Sequence, residues 1–341
     1  MSKHHSHSGQ CKKQKRKDKK KVKKSCKKHN KRQKWMIIIY ENDSQEVFLS
    51  SPNFANFAKK GTLFTGYEGV MHPSQPNYIA LISGSNYNVT TDLSTDVIPK
   101  DAKTIVDLLE AHGYSWKAYA ENYPTNPIPY LGDGSVNNWL NTGLDIGAFT
   151  SASIPHCYPD KPGLGQDVHY AYTRKHLPFI SFDTIVKNPG RAKNLVNAST
   201  FSDDLLNDEL PDFILYIPNM FNNCHDTQAL FDLTTCKENM MGLGTADYCG
   251  EAFHNTFNLA LNSKKLMKDR IVAVIGDEGT ITIDNSTIGI FYGDNVKKNN
   301  IVPTVYNHYN LLRTIEDTMK IGTLGKNDSI AEPMKGWQKY N

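Results

Sequence analysis

Three short apolar runs constrain the fold of this chain more than any other feature, because polar groups follow each of them closely. The runs are Trp35–Tyr40, Phe213–Ile217 and Ile271–Ile275. Continuous apolar runs of this length are typical of strands that are buried on both faces of a parallel sheet. The carboxyl ends of such strands meet at one edge, where open α/β sheets bind their ligands. The sequence therefore predicts an α/β fold with a functional site at that edge.

Segments with helical periodicity alternate with these strands. Asp101–His112 and Tyr309–Met319 carry apolar residues on one side, and the apolar spacing of Glu251–Lys268 predicts a long helix. Alternation of strands and helices over this length favours a mostly parallel central sheet with helices on both faces. We therefore expect a three-layer α/β/α sandwich.

The first 34 residues differ in composition from the rest of the chain. They hold 16 Lys or Arg residues and one acid, Asp18, whereas residues 35–341 hold 23 basic and 34 acidic residues. This contrast predicts a disordered Lys-rich basic arm over residues 1–34 and a folded domain over residues 35–341. The arm is interpreted as an electrostatic contact to nucleic acid or to an anionic membrane, or else as a solvated tail without a defined partner.

Signals for the cellular compartment point in two directions. No signal peptide is visible and no apolar stretch has the length of a transmembrane segment, which favours an intracellular protein. Four sequons and an even number of cysteines in the predicted domain favour a secreted or lumenal protein. Both interpretations stay open. The sequons begin at Asn88, Asn197, Asn285 and Asn327, and the cysteines are Cys157, Cys224, Cys236 and Cys249.

The polar groups that follow the three apolar runs are of the kinds that bind metal ions. They are Glu41 and Asn42 after the first run, His225 and Asp226 after the second, and Asp277 and Glu278 after the third. Carboxylate and amide oxygens suit a hard divalent cation, and histidine widens the choice to zinc, manganese or iron. The alternative is that these residues only form polar turns.

A serine precedes another apolar segment, in the stretch from His72 to Asn77. Ser74 is expected at the start of a helix, where the dipole and the free N–H groups favour bound phosphate. A metal ion at the neighbouring sheet edge would turn the hydroxyl of Ser74 into a nucleophile, and the amide of Asn77 would orient a phosphate oxygen. The alternative interpretation makes Ser74 a helix N-cap and nothing more.

Together these segments resemble the phosphoesterase family of the alkaline-phosphatase superfamily, which includes acid phosphatases and phospholipases C. The resemblance extends from about Trp35 to about Leu324. It is carried by the Glu-Asn pair and by the segments HPSQPNYIALISG, DLLEAHGYSWKAYAEN, KHLPF, PN with HD, GDE, and HY before LLRTIED. It implies an alkaline-phosphatase-like fold in which residues 35–341 form the catalytic domain.

The resemblance implies a metal-dependent phosphomonoesterase, in which Ser74 attacks phosphorus and forms a phosphoserine intermediate. The substrate would be a small phosphorylated molecule or a phospholipid head group, and the cofactor one or two divalent ions among Mg, Mn, Zn, Ca and Fe. The implied metal ligands are Glu41, Asn42, Ser74, Asp277 and Glu278, with His225 and Asp226 for a second ion. The implied catalytic residues are Ser74, Asn77, His225 and His308, and the implied phosphate-binding residues are Asn42, Asn77, His72 and His176.

Two other functions stay open at this point. One is a phosphodiesterase, including a phospholipase C, whose substrate carries one charge fewer and a second bulky group. The other is a non-catalytic scaffold that binds polyanions through the basic arm. Many superfamily members have Asp-His where this chain has Asp277 and Glu278, which makes a two-metal mechanism less expected. A sulfatase is not predicted, because the sequence lacks the C-x-P-x-R motif of that branch.

Overall fold

The structure is a computed structural model that describes residues 32–93, 96–123, 172–225, 245–280 and 285–339. A compact unit begins at Lys34. Nearly all of the predicted basic arm lies outside the described residues, so the arm and its partners remain predictions. Asp226, Cys157 and Cys236 also lie outside the described residues.

Eight strands form one sheet at the centre of this unit. They are β1 Lys34–Tyr40, β2 Thr62–Tyr67, β3 Trp116–Ala120, β4 Leu195–Asn197, β5 Phe213–Ile217, β6 Arg270–Gly276, β7 Gly289–Gly293 and β8 Asn300–Tyr306. Their order across the sheet is β4-β3-β5-β1-β6-β7-β2-β8. Among these eight strands of the described residues, only β7 is antiparallel to its neighbours, since it pairs antiparallel with both β6 and β2. The three predicted strands are therefore neighbours, with β1 between β5 and β6.

Helices cover both faces of the sheet. They are α1 Gln45–Ser50, α2 Pro52–Lys60, α3 Ser74–Ser83, α4 Ile105–Ala111, α5 Asp183–Val186, α6 Pro189–Ala192, α7 Phe201–Asn207, α8 Thr245–Asn262, α9 His308–Met319 and α10 Asn327–Ile330. Alternate residues of β1 enter two separate apolar cores. Trp35, Ile37 and Ile39 pack with α3, α4 and α9, whereas Met36, Ile38 and Tyr40 pack with α1, α2, α7 and α8. The predicted three-layer α/β/α sandwich is confirmed.

The long helix predicted over Glu251–Lys268 is wrong at both ends. Helix α8 begins earlier, at Thr245, and ends at Asn262. Leu266 and Met267 continue the apolar pattern and are buried, but they lie in the turn that follows the helix. The prediction extended the helix too far because a turn that packs against the core also buries apolar side chains, and these continue the apolar pattern of the helix. Among the described residues no helix is long and apolar enough to cross a membrane.

A buried pair of acids joins α9 to α10 and predicts how stability depends on pH. Glu316 and Asp328 are both fully buried, and the carboxylate of Asp328 accepts hydrogen bonds from the N–H groups of Leu324 and Lys326, at 2.6 and 2.8 Å. Burial, together with the charge of Asp328, raises the pKa of Glu316 to about 9. The folded state holds the proton of Glu316 more tightly than the unfolded chain does, so the residue destabilises the fold least below the pKa that it has in the unfolded chain. As the pH rises from that pKa towards the pKa in the folded state, the free energy of unfolding falls.

We expect Glu316→Gln to weaken this pH dependence. The amide is neutral at every pH, so the variant should gain stability over wild type in mildly alkaline solution and gain little in mildly acid solution. Urea unfolding of both proteins at two such pH values measures the difference. An equal shift of the variant at both pH values would contradict a protonated Glu316.

Candidate active site

The register of the central strands places the polar groups of β1 and β6 side by side. Tyr40 is paired with Gly276, and the N–H of Asp277 donates to the Tyr40 carbonyl at 2.9 Å. The N–H of Asn42 donates to Oδ1 of Asp277 at 3.2 Å. On the other side of β1, the N–H of Glu41 donates to the carbonyl of Asn223, in the loop after β5, at 2.8 Å. The structure thus brings the ends of all three apolar runs together.

Ser74 is the first residue of α3 and contacts two of these acids. Its Oγ lies 3.1 Å from Oε2 of Glu41 and 3.1 Å from Oε1 of Glu278. The residue that caps the helix is Pro73, whose own side chain forms no capping hydrogen bond. The interpretation of Ser74 as a mere N-cap is therefore wrong. A buried serine hydroxyl between two carboxylates is an arrangement suited to a nucleophile.

The three acids of the site repel one another. Glu41, Asp277 and Glu278 are all buried. Burial, followed by the charge of Glu41, raises the pKa of Glu278 to about 8, and burial with the charges of Glu41 and Glu278 raises the pKa of Asp277 well above its usual value. For Glu41 burial acts in the same direction, but the nearby His176 and Lys175 outweigh it and the pKa lies below its usual range. The negative charge at Asp277 and Glu278 is therefore only partly compensated by the neighbouring cationic groups.

A hard divalent cation fits the donors that the site presents. Oδ1 of Asn42 and Oδ2 of Asp277 are buried, and neither accepts a hydrogen bond from the residues that the structure describes. Carboxylate, amide and hydroxyl oxygens are the ligand types that such an ion prefers. Within the described ranges, no three His, Cys, Asp or Glu side chains already surround a common point at ligand distances. The fit of a divalent cation therefore rests on the chemistry of the donor atoms and on the negative charge of the acids.

The backbone conformation at position 42 also favours an asparagine. Its φ angle is 56°, in the left-handed region that asparagine adopts more readily than most residues other than glycine. The residue lies in the bend that directly follows β1. Asn42 therefore serves the turn and offers an amide oxygen at the same place.

His176 is turned towards Glu41. Its Nε2 lies 2.9 Å from Oε1 of Glu41, and its ring stacks on Tyr78 with the ring centres 4.9 Å apart. Its Nδ1 is 3.5 Å from Nδ2 of Asn223. The residue is buried and its polar atoms face protein groups. This geometry favours a role in positioning Glu41 over the predicted contact with phosphate.

His308 uses both of its ring nitrogens. Nδ1 lies 2.8 Å from the hydroxyl of Tyr67, and Nε2 lies 2.5 Å from the backbone carbonyl of Asp277. Burial lowers the pKa of His308 to about 4, so the ring is neutral near neutral pH. An N–H at Nε2 then donates to the carbonyl, and Nδ1 accepts from Tyr67. His308 holds the turn of Asp277, which favours a positioning role over the predicted catalytic one.

Asn77 is also engaged with its own surroundings. Its Oδ1 accepts from the N–H groups of Val70 and Met71, at 2.7 and 3.1 Å. Its Nδ2 lies 2.6 Å from the Met71 carbonyl and 3.2 Å from Oε2 of Glu278. The amide shapes the loop before α3 and holds Glu278. Both predicted roles, in catalysis and in binding a phosphate oxygen, would require it to give up one of these bonds.

His72 and His225 are the predicted histidines that are less enclosed. Nδ1 of His72 lies 2.7 Å from Oε2 of Glu278, and its side chain is 31% exposed. His225 is half-buried, and its N–H donates to Oδ1 of Asn223 at 2.9 Å. The charge of His225 acts on Asp43 and on Glu41, which places it at the same edge.

A disulfide fixes the loop that carries His225. It joins Cys224 to Cys249 of helix α8, with the Cα atoms 5.2 Å apart. The sequence left the pairing of the four cysteines open. Bridges of this kind persist in oxidising compartments, which favours the secreted or lumenal interpretation over the intracellular one.

Sequence reasoning overlooked two residues that support the site. Glu121 follows β3 as Glu41 follows β1, and it accepts hydrogen bonds from the N–H of Asn219 at 3.0 Å and from Nδ2 of Asn222 at 2.7 Å. It thereby holds the loop after β5. Lys175, next to His176, is buried close to the three acids. The position of Glu121 after a strand was a usable signal, whereas a lysine beside a histidine was not.

Comparisons with known proteins identify the family of this chain. The model of the Phosphoesterase family matches residues 5–243. A probable acid phosphatase of Kluyveromyces lactis is 27% identical over 89% of this chain and 62% of its own length. An acid phosphatase of Aspergillus fumigatus is 26% identical over 87% of this chain and 56% of its own length. A phosphatidylinositol-3-phosphatase of Mycobacterium tuberculosis is 23% identical over 82% of this chain and 75% of its own length. The chain thus spans about six-tenths of the length of the two acid phosphatases.

Solved structures show the same fold. A protein of the alkaline phosphatase superfamily from Vibrio parahaemolyticus superposes with a TM-score of 0.51 at 13% identity, covering 89% of this chain and 71% of that one. A sulfatase from Pseudoalteromonas gives a TM-score of 0.51 at 12% identity, covering 93% of this chain and 72% of that one. At this identity the likeness concerns the fold alone. Because the family model matches more than half of its residues, the chain belongs to the Phosphoesterase family.

Proposed function

We propose that the protein is a metal-dependent phosphomonoesterase of the acid-phosphatase type, which transfers a phosphoryl group first to Ser74 and then to water. The observation that carries the proposal is the position of the Ser74 hydroxyl, at a helix start and 3.1 Å from both Glu41 and Glu278. The names of the relatives support a phosphatase. Because the chain spans only part of the acid phosphatases' length, the activity of the whole protein remains a proposal.

Glu41, Asn42, Asp277 and Glu278 would hold a divalent ion together with Ser74. When bound, such an ion lowers the pKa of a serine hydroxyl and offsets the charge of the phosphoryl oxygens. His176 orients Glu41 through the contact at 2.9 Å, and His308 fixes the backbone of Asp277. These two histidines keep the ligands in place without touching the substrate.

The reaction then has two displacements at phosphorus. In the first, the Ser74 hydroxyl releases its proton as the bond from its Oγ to phosphorus forms, the bond to the leaving oxygen breaks, and that oxygen takes up a proton. In the second, water attacks phosphorus and releases a proton, the bond to Ser74 Oγ breaks, and the serine oxygen takes up a proton. We assign the proton transfer to His72, because its Nδ1 lies 2.7 Å from Oε2 of Glu278 and neither ring nitrogen has a hydrogen-bond partner among the described residues. His225 is the second candidate.

Hydrolysis of p-nitrophenyl phosphate and of bis-p-nitrophenyl phosphate tests the proposal. We expect monoester turnover that stops with a chelator and returns when one of several divalent metals is added. A preference for the diester would favour the phosphodiesterase alternative instead. Folded protein without turnover in any metal would favour the scaffold, and salt-sensitive binding of the full chain to DNA or to anionic vesicles would then support it.

A further inference from the structure

Lys175 is a buried cation beside the candidate active site. Its side chain is 4% exposed, and among the described residues only one other cationic side chain, Arg270, is buried. Arg270 lies at the opposite edge of the sheet, where its guanidinium donates to the carbonyls of Trp35 and Pro211. Lys175 instead lies in the turn Arg174–His176, next to the histidine that contacts Glu41.

The ammonium of Lys175 is tied to the helix that begins at Ser74. Its Nζ lies 2.7 Å from Oδ2 of Asp92. Oδ1 of the same carboxylate accepts from the N–H of Gln75, the second residue of α3, at 2.9 Å. Asp92 therefore links the lysine to the helix start, and His176 links the same turn to Glu41. The positive charge is fixed relative to both the nucleophile and the metal ligands.

Lys175 remains charged in this position. Burial alone would lower its pKa, but the charges of Glu41 and Asp92 and the bond to Asp92 raise the pKa above its usual value. The charge also opposes the rise in the pKa of Glu278 that burial and Glu41 cause. Burying an ammonium is costly, and an apolar side chain of similar size would fill the same space at no such cost. The charge itself therefore needs an explanation.

We propose that Lys175 is the fixed positive charge that selects the substrate, by favouring a doubly charged phosphomonoester and weakening the site's hold on divalent cations. This inference rests on the proposed function. A monoester carries up to two negative charges near neutral pH and a diester carries one, so a nearby ammonium attracts the monoester more strongly. The same ammonium repels a divalent ion. Removing it should therefore change the two affinities in opposite directions.

The first test compares wild type with Lys175→Met. We expect Mn²⁺ to bind the variant more tightly and inorganic phosphate, measured as a competitive inhibitor, to bind more weakly, each by about tenfold. The ratio of kcat/KM for monoester over diester should fall in the same variant. Calorimetry measures Mn²⁺ binding without turnover. Lys187→Met removes an exposed lysine that pairs with Asp183, and it should change none of these values.

A second variant acts in the opposite direction and does not remove the lysine. Asp92→Asn keeps an oxygen for the N–H of Gln75 but leaves the charge of Lys175 without its partner. It should weaken Mn²⁺ binding and tighten phosphate binding. Circular dichroism and thermal unfolding check that both variants are folded.

The outcomes separate this inference from the function on which it rests. If both affinities fall together in Lys175→Met, or if neither changes in either variant, the lysine has only a structural role and the inference is wrong. If wild type binds neither Mn²⁺ nor phosphate, the proposed function itself is contradicted, and the selective role of Lys175 is contradicted with it.

Discussion

Replacing Ser74 by alanine should reduce phosphomonoester hydrolysis by at least about 10³-fold, as expected when a nucleophile is removed. The fold should survive, because the hydrogen bonds of the serine hydroxyl within the described part of the chain go to Glu41 and Glu278 alone. Steady-state hydrolysis of p-nitrophenyl phosphate measures the loss. Acid quenching with a radiolabelled substrate should trap a phosphoprotein in wild type and none in the variant.

Ser83→Ala is the matched control for this experiment. Ser83 is the last residue of the same helix and is equally buried, but its hydroxyl donates to the carbonyls of Ile79 and Ser85. The substitution should cost about 1 kcal/mol of stability and leave hydrolysis within a few-fold of wild type. Turnover near the wild-type rate in Ser74→Ala would rule out this serine as the nucleophile.

Asp277→Asn should separate stability from activity. In metal-free protein the three buried acids repel one another, and burial with the charges of Glu41 and Glu278 raises the pKa of Asp277 well above its usual value. The amide is neutral without taking up a proton, and it keeps an oxygen for the N–H groups of Asn42 and Glu278, which now donate to Oδ1 at 3.2 and 2.7 Å. We expect the variant to melt at a higher temperature in chelator and to lose at least about 10²-fold in activity, because charge at the site is lost.

The same variant should also lose its thermal response to metal. A ligand that binds only the folded state raises the melting temperature, so Mn²⁺ should stabilise wild type and have little effect on Asp277→Asn. Asp294→Asn, at an exposed carboxylate, should match wild type in both measurements. A variant that is less stable in chelator than wild type would show that the carboxylates do not repel one another in the folded protein.

Much of the framework could be predicted from local sequence. The three predicted strands carry apolar side chains on both faces, because two separate cores cover the two faces of the sheet. Such apolar runs can be recognised from neighbouring residues alone. The antiparallel strand β7 between β6 and β2 was not predicted. Its five residues are of types found in many strands, and the direction in which a strand pairs depends on partners elsewhere in the chain.

The histidines show where sequence reasoning stopped. His72, His176, His225 and His308 were four candidates with similar claims, since a ring nitrogen can bind phosphate, carry a proton or form an ordinary hydrogen bond. The structure gives His308 partners at Tyr67 and Asp277, which lie 241 and 31 residues away along the chain. No local pattern encodes contacts over such separations.

The sequence by itself determined the layers of the fold, the sheet edge at which acids and amide meet, and the serine at a helix start. These follow from burial and periodicity, which neighbouring residues specify. The tertiary structure alone decided that His176 contacts Glu41 and His308 contacts the backbone of Asp277, that Asn77 is occupied by its own loop, and that Lys175 brings a charge to the acids. These roles depend on which atoms meet across the folded chain, and hydrogen bonds and ion pairs form only at distances that folding sets.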